Sequence, residues 1–186
     1  MDETEQVLKC QKGDRDAFRY IVERYGDTLF GTAYLMTRDR SAAEDFVQSA
    51  FLLAWKGIPR FKAGTNLKAW LVRILVNQVM SDRRRKQHQL FPLEDAPDVP
   101  ADSDGGLEVL LQAERHGEVR YALYTLDETT RQTIVLRYFA EMSIREIAEA
   151  MACAEGTVKS RIHRGIQSLK KYFGAAEPSV LMAVEE

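Results

Sequence analysis

The chain has 186 residues, 45% hydrophobic and 29% charged, with a formal net charge of −2, a composition that excludes fibrous and disordered classes. No run of about 18 apolar residues is present to span a membrane, and the acidic start MDETEQ is unlike a secretory signal, so a cytoplasmic protein is expected. Cys10 and Cys153 have no CxxC partner and His88, His116 and His163 are isolated, so neither a disulfide framework nor a metal or other cofactor is expected.

The net charge hides a division. Residues 1–86 carry a net +5, residues 87–108 hold six acids and no base, and residues 109–186 sum to −1. Along the chain, apolar residues at three- and four-residue spacing predict helices. One starts at Asp14 or Arg15 and carries Phe18, Ile21, Val22 and Tyr25; a second carries Leu29, Phe30, Ala33 and Tyr34. Ser41-Ala42-Ala43-Glu44 has the form of a capping box and opens a third, which runs to about Trp55, ahead of Gly57 and Pro59. A fourth starts near Thr65 or Asn66 and continues to about Lys86. Residues 87–106 then hold three of the five prolines, paired glycines and no helical period, as a linker does. Further helices are predicted over residues 107–125, 128–138, 143–151 and 155–173. The expected fold is all-α: two small helical domains, residues 1–86 and 107–173, joined by an acidic flexible linker at 87–106 and followed by a tail at 174–186.

Three helices carry more than a core face. In AEDFVQSAFLLAW, residues 43–55, Ala43, Phe46, Ala50, Leu53 and Ala54 share one side at about 100° per residue, while Asp45, Gln48, Leu52 and Trp55 share an arc of roughly 80° on the other. Burial on both sides within a bundle would produce this pattern, and so would a partner-binding patch with an aromatic anchor. The next helix places Trp70, Arg73, Asn77, Ser81 and Arg84 in one arc, with Leu67, Leu71, Ile74, Leu75 and Gln78 toward the inside. Arg83, Arg84, Arg85 and Lys86 could simply complement the helix dipole. The Trp–Arg–Asn stripe before them favours nucleic acid, because Trp stacks on unpaired bases, Asn reads base edges and Arg holds phosphate.

MSIREIAEAMACAEGTVKSRI, residues 142–162, has the layout of a helix-turn-helix, and so the C-terminal domain is expected to be one. Ile144, Ile147, Ala148 and Met151 line the inside of its first helix, and Ala152-Cys153-Ala154 form the turn. In the second helix Val158, Ile162, Ile166, Leu169 and Phe173 dock inward. Ser160, His163, Arg164, Gln167, Lys170 and Lys171 project opposite, with Thr157, Lys159 and Arg161 on the flanks. Such a face suits a major-groove reader, its N-terminal residues near base edges and its later lysines at phosphates.

With these segments in order, the chain resembles the extracytoplasmic-function (group IV) sigma factors of bacterial RNA polymerase, from Gly13 to Phe173. The matching stretches are GDRDAF at 13–18, AEDFVQSAF at 43–51, WLVRILVN at 70–77 and EIAEAMACAEGTVKSRIHR at 146–164. The resemblance implies a site for each block. Asp45, Gln48, Leu52 and Trp55 would grip the coiled coil of the polymerase β′ subunit, and the C-terminal domain would meet the β flap. Lys62, Gly64, Asn66, Trp70, Arg73, Asn77 and Arg84 would read and melt the −10 element and hold a flipped base. Glu155, Gly156, Thr157, Lys159, Ser160, Arg161, His163 and Arg164 would read the −35 element. Core RNA polymerase and promoter DNA are thus the implied partners, together with an anti-sigma factor that could hold the protein at the inner membrane. Three departures stand out: Ser49 replaces an acid, Leu126-Asp127 replaces Leu-Pro, and Ala152 replaces the turn glycine. The resemblance does not account for the tail, GAAEPSVLMAVEE.

No arrangement for catalysis is read in the sequence, and no enzyme is expected. A free-standing helix-turn-helix regulator would explain the C-terminal block but would leave the Leu52/Trp55 face idle. A metal-dependent nuclease or recombinase would need clustered carboxylates.

Overall fold

The computed structural model of the protein describes residues 2–89 and 117–174, and every regular element among them is helical. Four helices form the first region: α1 (Glu3–Gln11), α2 (Arg15–Thr37), α3 (Arg40–Gly57) and α4 (Leu67–Gln89), with a 3-10 turn at Ile58–Arg60. The second region has α5 (residues 117–124), α6 (Glu128–Ile134) continued by a π turn (Val135–Phe139), α7 (Ile144–Ala150) and α8 (Glu155–Gly174). The expected all-α, two-region architecture is what is found. Helix α4 runs on to Gln89, into the stretch read as linker. The rest of that linker, residues 107–116 of a predicted helix, and the tail beyond Gly174 lie outside the described residues.

Aspartates start α1, α2, α3 and α6. Asp14 accepts from the N–H groups of Asp16 and Ala17 at 2.9 and 3.0 Å, satisfying donors that the first turn leaves without partners. The expected capping box at Ser41 does not form. Asp39, two residues earlier, accepts from Ala42 N–H at 3.0 Å and caps α3, and Glu44 instead takes Arg40 Nε at 3.2 Å. The two helices expected over 14–34 are one, α2. Ile21, Tyr25, Leu29, Ala33 and Met36 form an unbroken buried stripe across Gly26. Burial of that stripe outweighs the roughly 1 kcal/mol that an interior glycine costs. Helix α1 was not anticipated; it carries few apolar residues but buries Val7 and Cys10. Burial pushes the Cys10 thiol up to about 11, consistent with a small packing side chain rather than a reactive one.

Helices α2 and α3 pack together with Ala33, Ala43, Ala50 and Ala54 fully buried, and Phe18 of α2 meets the rings of Phe51 and Trp55 of α3. Leu53, expected on this face, is 40% exposed, and Phe51 is buried in its stead. The buried arc is centred between Ala43 and Phe51, which leaves Leu53 roughly 100° away. Helix α4 covers the bundle with Leu67, Leu71, Val72, Leu75, Val76 and Val79. In the second region α6 and α8 meet at Gly165, where a Cβ would stand 2.7 Å from Ile134 and 2.9 Å from Thr130. Buried apolar side chains of both regions belong to one connected cluster.

Candidate functional site

The outer face of α3 is open. Asp45 and Gln48 are exposed and Leu52 is 65% exposed, which rules out a helix buried on both sides. Trp55 is only half-buried, its ring set edge-on to Phe18 at 5.0 Å and 64°. That contact fixes the ring at the rim of the patch. Leu53 adds a second exposed leucine beside the patch, so the outer face of α3 is more apolar than the arc of Asp45, Gln48, Leu52 and Trp55 implies.

The loop ahead of α4 is braced from below. Gln11 Nε2 donates to the carbonyls of Ile58 and Phe61 at 3.1 and 2.7 Å. Gly64 takes φ +81°, a conformation that side-chain-bearing residues rarely adopt, and Thr65 Oγ1 closes the turn onto the Lys62 carbonyl at 2.7 Å. Asn66 caps α4 by accepting from Ala69 N–H at 3.0 Å. Trp70 is half-buried, tilted against Phe61 at 4.8 Å, and a Cβ on Gly57 would stand 3.2 Å from its ring. A recess of about 350 Å³ opens here, lined by Lys62, Asn66, Trp70 and Arg73 on one side and by Met142 and Glu149 on the other. Lys62, Asn66, Arg73 and Asn77 are exposed. The backbone of Arg84 lies in α4; its side chain is outside the described residues.

The helix-turn-helix is present, α7 followed by α8. Ser143 and Glu146 form the capping box that starts α7. Ala152 turns the chain at φ +50°, and Cys153 N–H donates to the Ala148 carbonyl at 3.0 Å. Half-buried Cys153 has Arg161 Nη1 at 3.8 Å from its Sγ. Val158 is fully buried and docks α8, which leaves Glu155, Gly156, Lys159, Ser160, His163 and Arg164 exposed, with Thr157 and Arg161 at the margin.

The two regions touch through contacts that helical periodicity does not predict. The Tyr124 ring has two guanidinium groups over it, Arg38 at 4.6 Å and Arg131 at 5.8 Å. Arg38 also donates to the Tyr124 carbonyl, and buried Arg131 reaches the carbonyl of Met36 at 3.4 Å. Phe139, turned outward by the π turn, lies on Gly31 of α2. Beside it an apolar groove of about 510 Å³ is lined by Leu35, Val119, Leu123, Val135, Ile166 and Leu169. Lys68 pairs with Glu141 at 2.8 Å, and that hydrogen-bonded ammonium holds the Glu141 carboxyl below its ordinary range. Arg73 pairs with Glu149 at 3.0 Å. Among the described residues no three His, Cys, Asp or Glu side chains converge as they would on a metal ion, and no helix is long and apolar enough to cross a membrane.

Two helical regions, an outward patch on α3, a basic loop-and-helix recess and a helix-turn-helix are the features of a two-region DNA-binding protein with a separate partner face. Residues 21–89 match the family profile "Sigma-70 region 2", and residues 116–169 match "Sigma-70, region 4". The chain is 31% identical over 175 residues to the ECF RNA polymerase sigma factor SigW of Bacillus subtilis, covering 89% of this chain and 94% of that one. It is 34% identical over 163 residues to the ECF RNA polymerase sigma factor SigM of Mycobacterium tuberculosis, covering 87% and 80%. Among solved structures, the sigma factor RpoE of Bartonella quintana, in complex with the anti-sigma factor NepR, superposes with a TM-score of 0.66 at 28% identity, over 86% of this chain and 98% of that one. The chain belongs to the extracytoplasmic-function sigma factors of RNA polymerase: it is an alternative sigma factor that directs transcription initiation.

Proposed function

We propose that residues 1–86 bind core RNA polymerase and open the −10 element, and that residues 107–173 read the −35 element and touch the β flap. The observation that carries this reading is the separation of two surfaces on the first region. Asp45, Gln48, Leu52 and Trp55 form an outward patch on α3, while Lys62, Gly64, Asn66, Trp70, Arg73, Asn77 and Arg84 belong to the loop and helix of α4. A core-binding patch that did not also bind DNA would need this arrangement. Glu155, Gly156, Thr157, Lys159, Ser160, Arg161, His163 and Arg164 present the −35 reader, with exposed bases able to reach both base edges and phosphates. Melting is driven by binding: holding one unstacked base beside Trp70 offsets an unpairing cost of a few kcal/mol. The chain supplies recognition and strand opening, and bond-making belongs to the core enzyme.

The anti-sigma complex of the Bartonella relative supports an anti-sigma factor as a further partner. We place the protein in the cytoplasm, with such a factor able to hold it at the inner membrane. The test is co-elution with purified core polymerase. Leu52→Asp, at a position 65% exposed, should weaken core binding at least about tenfold while moving stability by no more than about 0.5 kcal/mol. Unchanged core binding, together with tight duplex binding by the chain alone, would point instead to a free-standing regulator.

A further inference from the structure

The loop that leads into α4 is held by a residue of another helix. Gln11 is the last residue of α1 and stands ahead of the matched residues 21–89. Its Nε2 donates to two carbonyls, Ile58 at 3.1 Å and Phe61 at 2.7 Å, the first residue of the 3-10 turn and the residue that follows it. A primary amide can hold both because its nitrogen carries two N–H donors. Phe61 leaves the turn in extended backbone, at φ −70° and ψ 132°, and leads into Lys62, Gly64 and Asn66.

Both ends of this brace are fixed. On one side Val7 and Cys10 bury α1 in the core, and Glu3 accepts from the Tyr25 hydroxyl, with Arg24 Nε at 3.8 Å from the same oxygen. On the other, Ile58 is fully buried, and the Phe61 ring lies 4.8 Å from that of Trp70, which also rests on Gly57. Trp70 in turn lines the recess that Lys62, Asn66 and Arg73 share. A line of contacts thus runs from Gln11 through the Phe61 carbonyl and ring to Trp70.

We propose that Gln11 is a positioning residue for −10 recognition: from α1 it fixes Phe61 against Trp70, and so sets the shape of the recess that receives an unpaired base. The proposal rests on the assignment of α4 as the −10 reader. It gives α1 a part in promoter selectivity, exerted through the loop and without contact to DNA. Loss of two neutral hydrogen bonds should lower discrimination among −10 bases by about three- to tenfold.

The experiment uses holoenzyme assembled with the full chain, on a promoter mapped by run-off transcription and on versions with each −10 or −35 base replaced in turn. The quantity read is the ratio of initiation on the native promoter to that on the substituted one, which a smaller folded fraction leaves unchanged. In Q11L, which keeps bulk and removes both donors, the ratio should fall about three- to tenfold at −10 positions and hold at −35 positions. In a W55F background, where Trp70 is the remaining tryptophan, Q11L should also move the emission of the free chain to longer wavelength. Ratios at −10 equal to those of the unsubstituted chain would overturn the proposal, and so would equal falls at −10 and −35. An unmoved emission would overturn the route through Phe61 and Trp70. If R73A/N77A leaves the −10 ratios unchanged, the assignment of α4 fails and the proposal with it; if R73A/N77A lowers them and Q11L does not, the role of Gln11 alone fails.

Discussion

Ala152 makes the turn between α7 and α8 at φ +50°, where a side chain costs about 1–2 kcal/mol relative to the right-handed region. Glycine would remove that cost and return part of it as unfolded-state entropy. Ala152→Gly should therefore stabilise the protein by about 0.5–1 kcal/mol, read as a higher denaturation midpoint at constant slope. Gly165 is the opposite case. It lies inside α8, and its role is the close approach to Ile134 and Thr130. Gly165→Ala gains helix propensity but forces α6 and α8 apart, so a net loss of about 1–3 kcal/mol is expected in the same assay. Asp127 stands where the resemblance implies a proline, with little penalty. Its φ of −57° is one that proline also adopts, and its carboxylate accepts from Thr130 N–H at 3.0 Å.

At the scale of the element, that same aspartate ties α6 to pH. Hydrogen bonds from Thr130, with the Thr129 hydroxyl, hold the Asp127 carboxyl down to about 2, against an ordinary 3.8. A depressed carboxyl contributes stability that is fully present above the ordinary value and is lost as pH falls through the folded one. Asp127→Ala should cost about 1 kcal/mol at neutral pH. Denaturation curves of the two proteins should converge as pH falls from about 4 toward 2. The elements legible in the sequence are those whose burial follows one clean stripe: α8 from Val158 to Leu169, α4 from Leu67, and the open Asp45–Gln48–Leu52 face of α3. Where several local signals compete, the strongest is not the most obvious. Asp39 takes the cap from Ser41 because a carboxylate stands two residues earlier, and α2 runs through Gly26 because Tyr25 and Leu29 are buried on either side. The site residues were legible as types on faces. Asn66 was legible as a helix start, its cap being local, but Trp70 as a ring packed on Phe61 was not, since that depends on how the loop folds back onto α4.

For the whole molecule, the acids matter as much as the bases. Counting charge by segment locates the basic first block, but it cannot show that Glu141 and Glu149 of the second region come to rest on Lys68 and Arg73 of the first. Nor can periodicity reveal that Phe139 seats on Gly31 or that Arg131, buried at 5% exposure, spans the seam to Met36. These contacts join the two regions through ion pairs, cation–π contacts and the packing of Phe139 on Gly31, over one connected apolar cluster. The decisive measurement is run-off transcription from fragmented DNA of the source genome, with purified core polymerase and with or without this chain. Discrete new transcripts should appear only when the chain is added. They should vanish when Asp45→Ala, Gln48→Ala and Leu52→Asp are combined, and persist with Glu118→Gln. No new transcripts with the intact chain, or transcripts indifferent to the α3 substitutions, would contradict the assignment of α3 as the face that joins polymerase.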